Sequence, residues 1–162
     1  MIDTGSRDLR TNRRIVLIGS MSVYNEIIDC AAKLKALDIQ TIVPEPEDIA
    51  IQQLSQADFE DFKRRVSFAY LRKIRDPRTY CVLAVNSDRH GIMNYVGPNT
   101  FAEIAVAFAQ SKRIYLFQGT PEAYVDELSA WRTISLHGTL ERLIGDFRDD
   151  CMVADAQRRL FD

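Results

Sequence analysis

The stretch from Arg14 to Val43 constrains the fold more than any other part of this chain. Arg14-Ile15-Val16-Leu17-Ile18 is a short apolar run with β-branched residues that stops at Gly19, the pattern of a strand buried on both faces. Val23, Ile27, Ala31 and Leu34 then recur at helical spacing, with Lys33, Lys35 and Asp38 off that stripe. Ser20 and Ser22 can each cap the start of that helix. Ile39 to Val43 is a second apolar run, closed by Pro44 and Pro46. Strand, helix and strand within about thirty residues make a βαβ unit, so the two strands pair in parallel through a right-handed crossover.

The same alternation continues. Pro44 to Asp58 is acidic and irregular, a loop or a short helix. Phe59, Phe62, Val66 and Ala69, with the stem of Lys73, mark the inner face of a helix that turns Arg64, Arg65, Arg72 and Lys73 outward and ends at Asp76-Pro77. Tyr80 to Val85 is the third strand, and a polar loop follows from Asn86 to Asn99. Thr100 to Ser111 reads as a helix with Phe101, Ile104, Ala105 and Phe108 inward, Arg113 to Phe117 as the fourth strand, and Pro121 to Trp131 as a helix. Thr133 to Leu136 is a short fifth strand and Thr139 to Phe147 a last amphipathic helix. Five strands alternating with helices predict one α/β domain over residues 14–147, a five-stranded parallel sheet in the flavodoxin-like order 2-1-3-4-5 with helices on both faces. Residues 1–13 read as a flexible tail, and 148–162 as a charged tail that docks on a neighbour or frays.

Composition narrows the function classes. At 162 residues with 46% apolar, the chain can bury a core without metal clips or disulfide staples. Lys+Arg 21 against Asp+Glu 23 leaves a net charge of −2, which argues against a general nucleic-acid binder. Three widely spaced cysteines, Cys30, Cys81 and Cys151, read as reduced thiols of a cytoplasmic protein. Two histidines and no CxxC pair point to no metal and no cofactor. No apolar run reaches the ~20 residues of a membrane span, so no membrane partner is expected.

In the predicted strand order, the connections after strands one and three leave to opposite faces and open a crevice at the carboxyl ends of the strands. That geometry selects two segments. Gly19-Ser20-Met21-Ser22 offers small residues at a helix N-terminus, where free N–H groups favour an anion; equally, it is a tight βα turn with a serine cap. Asn86 to Glu103 is a long loop with polar chemistry of its own. Asn86 and Asn99 can hold sugar hydroxyls, or simply end a strand and begin a helix. Tyr95 can stack on a ring, or pack locally. Glu103, in the first turn of the following helix, would be kept ionised by the dipole as a nucleophile requires. Thr100-x-x-Glu103 is also a capping box, in which the same carboxylate satisfies backbone donors.

The run Val85-Asn86-Ser87-Asp88-Arg89-His90-Gly91-Ile92-Met93-Asn94-Tyr95-Val96-Gly97-Pro98-Asn99-Thr100-Phe101-Ala102-Glu103-Ile104-Ala105, continuing through Ala107-Phe108-Ala109-Gln110-Ser111-Lys112-Arg113-Ile114-Tyr115-Leu116, resembles the nucleoside 2-deoxyribosyltransferase-like family. The opening Ile15 to Ser22 is similar to that family's first strand and turn. The resemblance spans about Arg14 to Ile144 and is most specific from Asn99 to Leu116. It implies that Glu103 attacks the anomeric carbon of a 2′-deoxyribonucleoside or its 5′-monophosphate, and that base or water resolves the glycosyl-enzyme ester. It also implies a small-molecule nucleoside or nucleotide as substrate, a pocket formed with Gly19, Ser20, Met21, Asn86, Tyr95, Gly97, Asn99 and Thr100, and a homodimer or higher oligomer. The family's proton-donating acid sits near the start of strand three, where this chain has Thr79-Tyr80. Asp88 and Asp76 are the nearest candidates, with Asp88 ahead because its loop overhangs the crevice. A nucleotide- or nucleoside-binding module without catalysis is the alternative. A phosphoacceptor domain of response-regulator type is set aside, since no acidic cluster follows strand one.

Overall fold

The structure, a computed structural model, describes residues 12–46 and 49–161. Five parallel strands lie in the order β2-β1-β3-β4-β5: β1 Arg14–Ile18, β2 Gln40–Ile42, β3 Thr79–Ala84, β4 Arg113–Leu116 and β5 Ile134–Ser135. The three central strands are buried almost throughout, while the two edge strands are only two and three residues long. Short edges leave few unpaired backbone groups to recruit another sheet.

Two apolar layers cover the sheet. On one face Ile15, Leu17, Cys81, Leu83 and Tyr115 pack against α1 (Tyr24–Lys35) through Ile27, Cys30, Ala31 and Leu34, and against Leu143 and Phe147 of the last helix. On the other, Val16, Ile18, Val82, Ala84, Ile114 and Leu116 meet α2 (Gln56–Arg75), α3 (Pro98–Ala109) and Leu128 of α4 (Val125–Ala130). Strand residues alternate between the layers, as a pleated sheet requires. The expected fold class and strand order are therefore those observed.

Three local expectations need correction. The stripe Phe59, Phe62, Val66 and Ala69 is not the inner face of α2: Phe59 and Val66 are 36% and 47% exposed, and only Tyr70 and Ile74 are buried on that helix. A helix of 20 residues is about 30 Å long, whereas a six-residue β3 spans about 20 Å. The amino half of α2 therefore overhangs the carboxyl ends of the strands. The apolar face of α3 is Thr100, Ile104 and Ala107. Phe101 packs half-buried against the same layer, as expected, and stacks on Tyr124 at 4.2 Å, whereas Phe108 is exposed and stacks on Trp131 at 4.9 Å between centroids.

The third concerns the charged tail, whose helix does not end at Phe147. The last helix, α5, runs Glu141–Arg159, because its carboxylates have partners on the sheet. Tyr80 donates to Asp150 at 2.7 Å, Tyr115 donates to Asp146 at 2.7 Å, and Arg113 pairs with Asp150 at 3.3 Å. Of the expected N-terminal tail, residues 1–11 lie outside the described residues. No described helix is long and apolar enough to cross a membrane.

Candidate active site

The crevice between β1 and β3 is built by close approach of two backbones. A Cβ on Gly19 would lie 2.9 Å from the Val85 carbonyl oxygen and 3.0 Å from Ile27 Cδ1, so only glycine lets the turn after β1 pass beside the end of β3. After Gly19 the chain makes a short 3-10 turn, Met21–Val23, and enters α1. Ser20 caps that turn: its Oγ accepts from the Ser22 N–H at 3.3 Å and lies 2.9 Å from Ser22 Oγ.

Asn86 is fully buried where β3 ends. Its Nδ2 donates to the Gly119 carbonyl at 2.7 Å and the Asn94 carbonyl at 3.4 Å, and its Oδ1 accepts from the Gln118 N–H at 2.8 Å. These bonds staple the loop after β3 to the loop after β4, so the amide organises the crevice wall and is not aimed at a ligand. Within the loop, Arg89 and Ile92 exchange backbone bonds of 3.0 and 2.8 Å across His90 and Gly91, both with positive φ (55° and 71°). That is a two-residue hairpin turn of the primed type. Asp88 is exposed, and its Oδ1 accepts from the Asn94 N–H at 2.8 Å, closing the loop on itself. Tyr95 is half-buried, edge-on to His90 at 5.1 Å, with its hydroxyl beside Gly97.

Arg89 and Glu26, which no local spacing singles out, bind the two selected segments together. Arg89 Nε donates to the Ser22 carbonyl at 3.1 Å, and its guanidinium pairs with Glu26 on the first turn of α1. The loop after β3 is thus strapped to the helix after β1. Partners separated by 63 residues leave no periodic trace in the sequence.

Helix α3 starts at Pro98 with Gly97 as its cap, and no side chain caps it. Thr100 is the third helical residue and Glu103 the sixth, so the expected capping box does not form and Glu103 stands in the second turn. Asn99 is exposed and Thr100 buried. Glu103 lies three and four residues from Thr100 and Ala107, which places it on the flank of the buried stripe. Among the described residues it makes no hydrogen bond and no ion pair. Burial pushes its carboxyl up to about 7, the reverse of the ionised state that a dipole alone predicts. Its charge in turn adds to the burial that raises the Tyr70 phenol. Tyr70 is buried on α2 and donates to the Leu17 carbonyl near the end of β1.

Asp76 is not in this crevice. It caps the far end of α2 beside the start of β3, held below the usual carboxylate range by hydrogen bonds from the Arg78 side chain and N–H and by Arg14. It cannot serve as proton donor to a substrate at Glu103. Gly19, Ser20, Asn86, Asp88, Tyr95, Gly97, Asn99, Thr100 and Glu103 do share the carboxyl end of the sheet, with Met21 in the turn after β1. No family model matches the chain, and no curated protein or solved structure matches it.

Proposed function

We propose that this protein cleaves or transfers at the N-glycosidic bond of 2′-deoxyribonucleosides or their 5′-monophosphates, with Glu103 as nucleophile. One observation carries the reading. A half-buried glutamate stands at the switch point of an open α/β sheet, unpaired among the described residues and with a carboxyl raised to about 7. Leaving a carboxylate in that state costs stability, and perturbed carboxyl groups in clefts cluster at functional sites. The resemblance of Asn99 to Leu116 supports the choice of chemistry.

In this reaction the ionised Glu103 attacks C1′, forming an ester as the bond from C1′ to the base nitrogen breaks. The leaving base takes its proton from solvent, a transfer that Asp88, exposed on the loop after β3, is proposed to relay. Water or a second base then attacks C1′, and the Glu103 carboxylate is released. The turn at Ser20, where the chain enters α1, supports including 5′-monophosphates among the substrates. The proposal includes a self-associated state, supported by the exposed apolar side chains of Phe59 and Val66 on α2 and Phe108 on α3.

Chromatography of the purified protein with each deoxynucleoside and deoxynucleotide, with and without a second base, tests the reading. Base release or exchange is expected, falling at least about a hundredfold in Glu103→Gln. Binding of a nucleoside or nucleotide with no product from any substrate contradicts it and favours the binding module, a reading supported by the lack, among the described residues, of a second uncommitted carboxylate in the crevice.

A further inference from the structure

At the opposite end of the sheet lies an open, solvent-facing cleft of about 470 Å³ that the proposed reaction does not use. It is lined by Arg14 from β1, by Arg72, Lys73 and Arg75 from the last turns of α2, and by Arg78 from the turn into β3. Asp76 is the one carboxylate among its lining residues, and Gln110 at the end of α3 completes the wall. Five cations converge on one acid in a chain whose net charge is −2.

The acid is already spent. Asp76 accepts from the Arg78 Nε at 3.0 Å and NH2 at 2.8 Å, and pairs with Arg14 at 3.2 Å. Arg14 is fixed further by bonds to Thr79 Oγ1 and the Lys73 carbonyl, each 3.3 Å. Lys112 adds another cation at the rim, its Nζ 3.0 Å from the Asp76 carbonyl oxygen. Among the described residues no carboxylate pairs with Arg72, Lys73 or Arg75. Arg72 and Lys73 lie over the rings of Phe68 and Tyr70 at 5.9 and 5.4 Å. The helix dipole favours cations in a last turn, but it does not account for Arg14 and Arg78, which reach the same cleft from a strand and a turn.

We infer that this cleft binds the phosphate chain of a small molecule carrying two or three adjacent phosphates. Three cations without a carboxylate partner among the described residues match a di- or triphosphate in charge, whereas a monoanion would leave most of them uncompensated. Guanidinium groups pair with phosphate oxygens in bidentate fashion. From Thr79 to Ala84 the sheet separates this site from the crevice by about 20 Å, so one ligand does not fill both.

Titration calorimetry of the full chain with inorganic triphosphate tests the inference, with nucleoside triphosphate run beside it to assign the source of the phosphate chain. One-to-one binding that weakens at raised salt is expected. The double variant Arg72→Ala/Arg75→Ala, both exposed helical positions where alanine keeps the helix, should bind about tenfold or more weakly. Glu103→Gln should bind as the parent does. Absence of binding, equal affinity in the double variant, loss of binding in Glu103→Gln, or binding only of a long single-stranded oligonucleotide would each overturn it.

Discussion

Glu103 is where local sequence rules and tertiary structure disagree most usefully. A carboxylate early in a helix is ordinarily stabilised in its charged form. Here the helix begins two residues before the expected Thr100 and the residue shifts to the second turn, on the edge of the packed face, where burial dominates. The sign of its effect on stability follows. Below the ordinary value of 4.5 the group is protonated in both folded and unfolded chains and costs nothing. Between 4.5 and about 7 the folded chain binds the extra proton, so stability falls as pH rises through that window. Glu103→Gln should therefore raise the melting temperature at pH 8 and give little gain at pH 4.5, with a difference of at most about 3 kcal/mol before solvent screening. Thermal denaturation of both proteins across that range checks it; a gain that does not depend on pH would show that the carboxyl is not shifted.

At the scale of elements, legibility followed locality. The strands were readable because each is an apolar run closed by glycine, proline or asparagine, and α1 because Ile27, Ala31 and Leu34 repeat at helical spacing. The extent of α5 was not, since Arg148 to Arg159 is mostly polar and its hold on the sheet comes from Tyr80 and Arg113, far away in the chain. The direction of the α2 stripe failed for a related reason: the apolar residues are there, but half the helix extends past the strands it could cover. Asn86 was read from sequence as a ligand contact because its partners, at Asn94, Gln118 and Gly119, leave no local pattern. Truncation after Phe147 removes Asp150 and Cys151 from contact with the sheet. It should destabilise the fold by about 2 kcal/mol or more, read as a lowered denaturant midpoint. An unchanged midpoint would mean that the distal half of α5 is a tail after all.

At the scale of the whole molecule, two ends of one sheet carry opposite chemistry. The carboxyl end holds a half-buried acid and a strapped loop, and the amino end holds a basic cleft. On the helices, α2 leaves Phe59 and Val66 without cover, and α3 leaves Phe108 46% exposed. Scattered apolar side chains are normal on a surface, but Phe59 and Val66, seven residues apart on one helix, favour burial by another copy. Sedimentation should give a dimer or larger species, and Val66→Asp, which puts a charge on the overhanging stripe, should shift it toward monomer. A monomeric parent would leave that face to another partner.

The most direct measurement is mass spectrometry of the protein, quenched in acid during turnover and digested. A deoxyribosyl adduct on the peptide containing Glu103, absent from Glu103→Gln, is the predicted result. Base release that continues with no adduct, or that survives in Glu103→Gln, would contradict a nucleophilic role for this residue.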